Sequence, residues 1–202
     1  MIEPSLFAQG FDLIAGVDEA GRGACAGPLV AASVAIDKGS PLLQLGALDS
    51  KKLSPARREG LYDLIVNSSR AVHVIEISSH DIDRFGLQSM NISAMRRAVA
   101  GLNVDIDYLI SDGYPVTGLG MPTLAMFKGD SLSVAVGAAS IIAKVTRDRI
   151  MVQMEERFPG YGFASHKGYS CASHMKAIAD LGVTEIHRIS YRNVSELVKA
   201  KD

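Results

Sequence analysis

Apolar residues follow two periodicities along this chain, and the order in which they alternate sets the fold class. Continuous or alternating apolar runs at Leu13 to Val17, Leu29 to Ile36, Val72 to Ile77 and Tyr108 to Ser111 read as strands. Between and after them the spacing changes to that of helices. Ser54-Pro55 supplies an N-cap followed by proline at the first helical position, predicting a helix to about Val66 with Leu61, Leu64 and Ile65 inward. A second helix is predicted over about Met90 to Leu102, with Ile92, Met95 and Val99 on one face. The longest runs from near Ser131 to Phe158, burying Val136, Ala139, Ile142, Ala143 and Val145 while Lys144, Arg147 and Asp148 face out. A further helix follows Ser170 and closes at Leu181-Gly182. Only eleven residues part Val17 from Leu29, too few for a crossover helix, so the second strand is expected to pair antiparallel with the first. Three strands followed by alternating helices and strands give an α/β fold, a mixed central sheet flanked by helices. Residues 1–168 are expected to form the main domain, and 169–202 a small C-terminal helical lobe packed on it as one compact unit.

Candidate chemistry sits where the apolar runs stop. The first strand leads into Asp18-Glu19 and then Gly21-Arg22-Gly23. Carboxylates at the end of a core strand are costly unless compensated, and a divalent cation is the usual compensation. An arginine between glycines lets the backbone approach a polyanion while the guanidinium forks a phosphate. Gly21-x-Gly23-x-x-Ala26 also fits a loose dinucleotide-binding pattern, but that pattern needs a helix directly after the glycines. Pro28 and a β-rich run follow instead, and the reading is rejected. Asp112 repeats the logic of the first motif at the exit of the strand Tyr108 to Ser111. Asp130 precedes the longest helix, where an N-cap role alone would account for it. Hard cations such as Mg²⁺ take oxygen ligands, so a carboxylate set suits them, and no histidine or cysteine spacing supports zinc.

Composition narrows the setting. A hydrophobic fraction of 48% and a formal net charge of −1 fit a soluble globular protein whose polyanion-binding surface is local, not global. Cys25 and Cys171 lack metal-type spacing, which suggests a reduced, cytoplasmic setting. The opening residues lack a signal-peptide pattern, and no apolar run reaches membrane-spanning length. Local basic groups are Lys51-Lys52 ahead of a helix start, Lys144 and Arg147 on the longest helix, and His166-Lys167 beside Tyr169. A ring at Tyr169 is placed to stack on a sugar or base, or to pack at a helix start. His73 and His80 read as structural or exposed, and His187-Arg188 as a loop open to phosphate or to solvent.

In ordered blocks spread over most of residues 13 to 194, the sequence resembles the ribonuclease HII family. The blocks are Gly16 to Gly23, Asp49 to Ser54, Asp112-Gly113, Lys128-Gly129-Asp130, Ala138 to Asp148, Tyr161-Gly162-Phe163, His166 to Tyr169 and His187-Arg188. The resemblance implies an RNase H-like fold and cleavage of RNA in RNA/DNA hybrids, including single ribonucleotides in duplex DNA. Products would carry 5′-phosphate and 3′-hydroxyl ends, with Mg²⁺ or Mn²⁺ as cofactor and two ions engaged during catalysis. By motif, Asp18, Glu19, Asp112 and Asp130 would be the metal-binding acids. Gly21, Arg22 and Gly23 would read the ribonucleotide 2′-hydroxyl, and Tyr169 the following deoxyribose. Lys51, Lys144, Arg147 and Lys167 would contact substrate. Ala24-Cys25 departs from the proline-leucine pair common after this turn, and Ser190 to Val194 lacks the usual proline of the closing motif. Ser195 to Asp202 shows no clear sliding-clamp-binding motif, so clamp association is not expected; separately, a monomer is expected. The alternative is a non-catalytic binder of RNA/DNA hybrids, which leaves the strand-end acids without a purpose.

Overall fold

The structure, a computed structural model, describes residues 1–46 and 48–199. Its centre is a five-stranded sheet: β1 (Leu13–Ala20), β2 (Leu29–Asp37), β3 (Ala71–Ile77), β4 (Tyr108–Asp112) and β5 (Thr123–Met126), in the order β3-β2-β1-β4-β5. β1 pairs antiparallel with β2, as the short connection requires, and β2 with β3, whereas β1, β4 and β5 run parallel. The sheet is therefore mixed, as expected, with β5 as the strand the apolar pattern did not reveal. Only four residues long and half exposed, β5 carries no run that could signal it.

Helices cover both faces. On one side α5 (Val134–Arg157) lies across β1 and β2 and is itself covered by α2 (Pro55–Ser68); Val30, Ala32, Val34 and Ile36 meet Ala138, Ala139, Ile142 and Val145 there. On the other, α4 (Leu87–Ala100) sets Ala94, Met95, Ala98 and Val99 against Val17, Leu29, Ala31 and Ala35. The short helices α1 (Glu3–Ala8) and α3 (Ser79–Phe85) complete these layers. α6 (Phe163–His166), α7 (Ala172–Leu181) and α8 (Arg192–Lys199) follow α5, and Phe163, Ala177, Ile178 and Val194 share a third apolar cluster with Cys25, Ala26 and Met151. Among the described residues no helix is long and apolar enough to cross a membrane.

Local chemistry accounts for the helix starts. Ser54 caps α2, its hydroxyl accepting from the Arg57 N–H. α5 begins later than expected, because Ser133 is its cap and Asp130 sits in a separate 3₁₀ turn, Gly129–Ser131. α5 comes so close to β1 that a Cβ on Gly16 would stand 2.1 Å from the Ala135 carbonyl carbon. Only glycine permits that approach. Three positions need correction. Leu64 is 41% exposed on the outer side of α2, and Ile92 is only half-buried. Arg147, expected outside, is fully buried, because carbonyls from two loops converge on that point of α5.

Candidate active site

Register brings the acids together. Val17 of β1 pairs with Ser111 of the parallel β4, so the next residues, Asp18 and Asp112, emerge side by side at the carboxyl ends of neighbouring strands. Asp112 in turn pairs with Met126 at the end of β5, and the chain then turns through Lys128 (φ +60°). Gly129 there donates its N–H to Asp112 Oδ1 at 2.7 Å, which seats Asp130 next to the strand ends. The acids thus collect at the carboxyl edge of the parallel part of the sheet, where open α/β sheets bind ligands.

Successive side chains of a strand point to opposite faces. Asp18 lies on the α5 side beside Ser140, whereas Glu19 lies on the α4 side beside Asn91. Both still line one cleft of about 340 Å³, with Gly21, Arg22, Gly23, Ser50, Lys51, Asp112, Ser140, Lys144 and Tyr169. Asp130 stands just outside that lining, its carboxylate 4.0 Å from Lys51 Nζ. Lys167 faces a neighbouring groove that shares Arg58 and Lys144 with the cleft. Its own ammonium is engaged by the Ala164 carbonyl.

The cleft is electrostatically under-compensated. Burial, then Glu19, then Asp112 push the Asp18 carboxyl well above the ordinary range, against the opposing help of Ser140 and the Glu19 N–H. Burial and Asp112 raise Glu19 to about 7, with Arg22, Asn91 and Lys51 opposing. Burial also raises Asp130. Glu19 Oε2 is buried with no hydrogen-bond partner, and neither polar atom of the fully buried Asn91 closes a hydrogen bond either. Unmatched carboxylate oxygens under like-charge repulsion are the condition a divalent cation relieves. Among the described residues no three acidic, histidine or cysteine side chains are close enough to enclose an ion unaided. That suits Mg²⁺-type ions, which take one or two carboxylates and fill the remaining positions with water and substrate phosphate. The donor set fits such an ion as a half-shell open to the cleft.

The turn after β1 is held firmly. Gly21 has φ +87°, and a Cβ there would lie 1.9 Å from Arg147 Nε. The Arg22 carbonyl accepts from Tyr191 Oη at 2.6 Å and Arg188 Nη1 at 3.1 Å. The Arg22 guanidinium reaches Gln88 at 3.3 Å and stands 5.1 Å from the Tyr114 ring centre. Ala24-Cys25 does not loosen the loop: the N–H groups of Cys25 and Ala26 both donate to the Gly168 carbonyl, at 2.9 and 3.1 Å. The proline-free segment 190–194 supplies Tyr191 as a buttress.

Arg147 lies beneath the cleft. Its guanidinium donates to the carbonyls of Pro28, Lys167 and Ala26 at 2.9, 2.9 and 3.0 Å, and sits 5.4 Å from the Tyr169 ring centre. Burial holds it down at about 10. It ties the Gly21 turn to the Tyr169 turn. His187 and Arg188 are buried too, where a loop open to phosphate or solvent was expected. Sequence reasoning missed Asn91, Ser50, Ser140 and Arg58. Ser50 and Ser140 bond to each other at 2.8 Å, and Arg58 donates to the carbonyls of Ser50 and Leu53 at 2.9 and 2.6 Å. Only Arg58 carried a signal, as a cation one turn into α2.

Comparison with known proteins gives one family. Residues 15–194 match the family model described as Ribonuclease HII. The chain is 50% identical over 192 residues to a protein named Ribonuclease HII from Cutibacterium acnes, covering 95% of this chain and 94% of that one. Among solved structures it is similar to the ribonuclease H2 of Pyrococcus horikoshii OT3, with TM-score 0.81, 26% identity, and coverage of 93% and 98% of the two chains. It is also similar to the RNase HII of Archaeoglobus fulgidus, solved as a complex with PCNA, with TM-score 0.78, 30% identity, and 91% and 96% covered.

Proposed function

Because the chain belongs to the ribonuclease HII family, and is thereby a nuclease with the RNase H fold, we propose that it hydrolyses the RNA strand of RNA/DNA hybrids and cuts 5′ of single ribonucleotides embedded in duplex DNA. The observation that carries this reading is the cleft at the carboxyl edge of β1 and β4, where the unmatched buried oxygen of Glu19 and its neighbouring acids face the glycine-arginine-glycine turn. Asp18, Glu19, Asp112 and Asp130 would hold Mg²⁺ or Mn²⁺. When bound, two such ions supply an activated water and charge stabilisation at the scissile phosphate and its leaving oxygen, giving 5′-phosphate and 3′-hydroxyl ends. A non-catalytic hybrid binder leaves this acid set opposing phosphate to no purpose.

The protein's own groups do the rest. The 2′-hydroxyl is the atom that separates ribose from deoxyribose, and reading it requires close backbone approach. The Cβ-free Gly21 and the exposed Gly23 offer that approach, and Arg22 between them offers a fork for phosphate. A Cβ on Gly23 would be 4.0 Å from Tyr169 Cε1, so turn and ring form one wall on which the next sugar can rest. Lys51 and Lys144 also line the cleft, as point charges for the backbone.

The test is cleavage of a duplex carrying one ribonucleotide, with the cut mapped in Mg²⁺ and in Mn²⁺. A cut on the 5′ side of the ribonucleotide is expected, with no cleavage of an all-DNA duplex. Asp18→Asn should lower the rate by at least about 10³-fold while leaving thermal stability equal or higher, since it removes one of the repelling charges. Full activity of Asp18→Asn under saturating Mg²⁺ would refute the assignment.

A further inference from the structure

Behind the Tyr169 turn lie three histidines that the proposed chemistry does not use. His166 stacks on His174 with ring centres 4.3 Å apart, and His174 meets His187 edge to edge, Nε2 to Nε2 at 3.1 Å. The groups around the latter pair fix every proton. The Thr184 N–H donates to His187 Nδ1 at 2.8 Å, so that nitrogen is an acceptor and its proton resides on Nε2. His187 Nε2–H then donates to His174 Nε2, which leaves the His174 proton on Nδ1. His174 Nδ1 is 3.0 Å from the Tyr169 carbonyl, an acceptor only, and nearer to it than to Cys25 Sγ at 3.5 Å. Each ring has to be neutral, because a second proton on His174 would set donor against donor at the Nε2 contact, and one on His187 would do the same against the Thr184 N–H.

We infer that Thr184, His187 and His174 form a one-way hydrogen-bond relay that fixes the backbone of Tyr169, making His174 a positioning residue for the ring set against the substrate. Neighbouring bonds agree with this direction. His166 donates through Nε2 to the Tyr161 carbonyl at 2.8 Å and accepts the Gly168 N–H at Nδ1, so it clamps the residue just before Tyr169. The Cys25 thiol donates to the Gly168 carbonyl, leaving the His174 proton to Tyr169. The ionisable groups facing the pair are His166, Cys25 and Tyr161, none of which stabilises an imidazolium. Burial holds both rings below the ordinary histidine value, His187 at about 4. The inference rests on the reading of Tyr169 as substrate-facing.

Two measurements on the full chain separate the relay from that reading. Ring ¹⁵N shifts should show His174 protonated at Nδ1 and His187 at Nε2, both titrating below the ordinary histidine range, His187 at about 4. Protonation of His174 at Nε2, or titration of both rings near pH 6.5, overturns the relay whatever Tyr169 does. In kinetics on a single-ribonucleotide duplex, His174→Leu should lose about five- to tenfold in kcat/KM, the size of one buried hydrogen bond. His174→Asn, which can still donate to the Tyr169 carbonyl, should recover most of it. In a Tyr169→Ala background His174→Leu should cost nothing further. An equal loss in both backgrounds makes His174 merely structural and refutes the positioning role. If Tyr169→Ala is itself without effect, the substrate-facing reading falls, and the relay stands or falls on its tautomers.

Discussion

Glu19 shows how the cleft trades stability for binding. Its carboxyl is raised to about 7 in the folded chain against an ordinary 4.5, so the folded state holds a proton that the unfolded state has released. Stability from this group is therefore full below about pH 4.5 and lost as pH rises through 7. Glu19→Gln removes that loss. The variant should be more stable than the parent at pH 7.5 by roughly 1–2 kcal/mol, after allowance for solvent at the cleft mouth, and no more stable at pH 4.5. For a chain of this size that is about 2–8 °C in Tm. Millimolar Mg²⁺ or Mn²⁺ should raise the Tm of the parent and not of Glu19→Gln, because the ion binds only where the unmatched oxygen remains. Thermal scans with and without metal at the two pH values check both statements. A variant no more stable at pH 7.5, or a metal response independent of Glu19, would remove the physical basis for placing an ion there. The acids themselves were legible because a carboxylate at the end of an apolar run is anomalous on sight. Asn91 was not, because an asparagine within a helix looks ordinary until its burial against Glu19 is seen.

At the level of elements, the site depends on how tightly α5 is applied to the sheet. Gly16 and Arg147 mark the two ends of that contact. Gly16→Ala would drive a methyl group into the Ala135 backbone, which cannot rotate away as a side chain could. It should cost about 3 kcal/mol or more, seen as a lowered Tm and poor soluble yield. Arg147→Ala removes three buried charge-assisted bonds and should cost a similar amount. Arg147→Lys should not restore it, because one ammonium cannot reproduce a planar fork aimed at three carbonyls. If Arg147 instead met substrate directly, Arg147→Lys would keep its Tm and lose only activity, and melting curves decide between the two. The periodicity of α5 gave its length and most of its buried face, but it assigned Arg147 to solvent. The carbonyls that draw it inward come from residues 26, 28 and 167, and no local pattern reports them. The antiparallel β1–β2 pairing, by contrast, was legible, since a short connection admits little else.

For the molecule as a whole, a net charge of −1 leaves polyanion binding to a few residues. Of the cations lining the cleft, Arg58 is committed to backbone carbonyls, which leaves Arg22, Lys51 and Lys144 to meet phosphate. Lys144 is itself paired with Asp148 at 2.7 Å, and Lys51 lies 4.0 Å from Asp130, its side chain 81% exposed. Each phosphate neutralised contributes a slope of about −0.9 to log K against log salt on B-form duplex DNA. A duplex carrying one ribonucleotide should therefore bind with a slope of only about −2 to −3, much shallower than that of a protein with an extended basic face. Lys51→Ala should reduce the slope by about 1 and weaken binding alike to any duplex of the same length. Arg22→Ala should also cost discrimination between ribonucleotide-containing and all-DNA duplex, since its turn is the part proposed to approach the sugar. Binding isotherms in Ca²⁺ over a range of salt concentrations, on both duplexes, measure slope and discrimination together. A slope beyond about −5 would mean that cations outside the cleft carry the substrate. In that case the groove lined by Arg149 and Lys167, continuous with the cleft through Lys144, would have to be part of the binding surface.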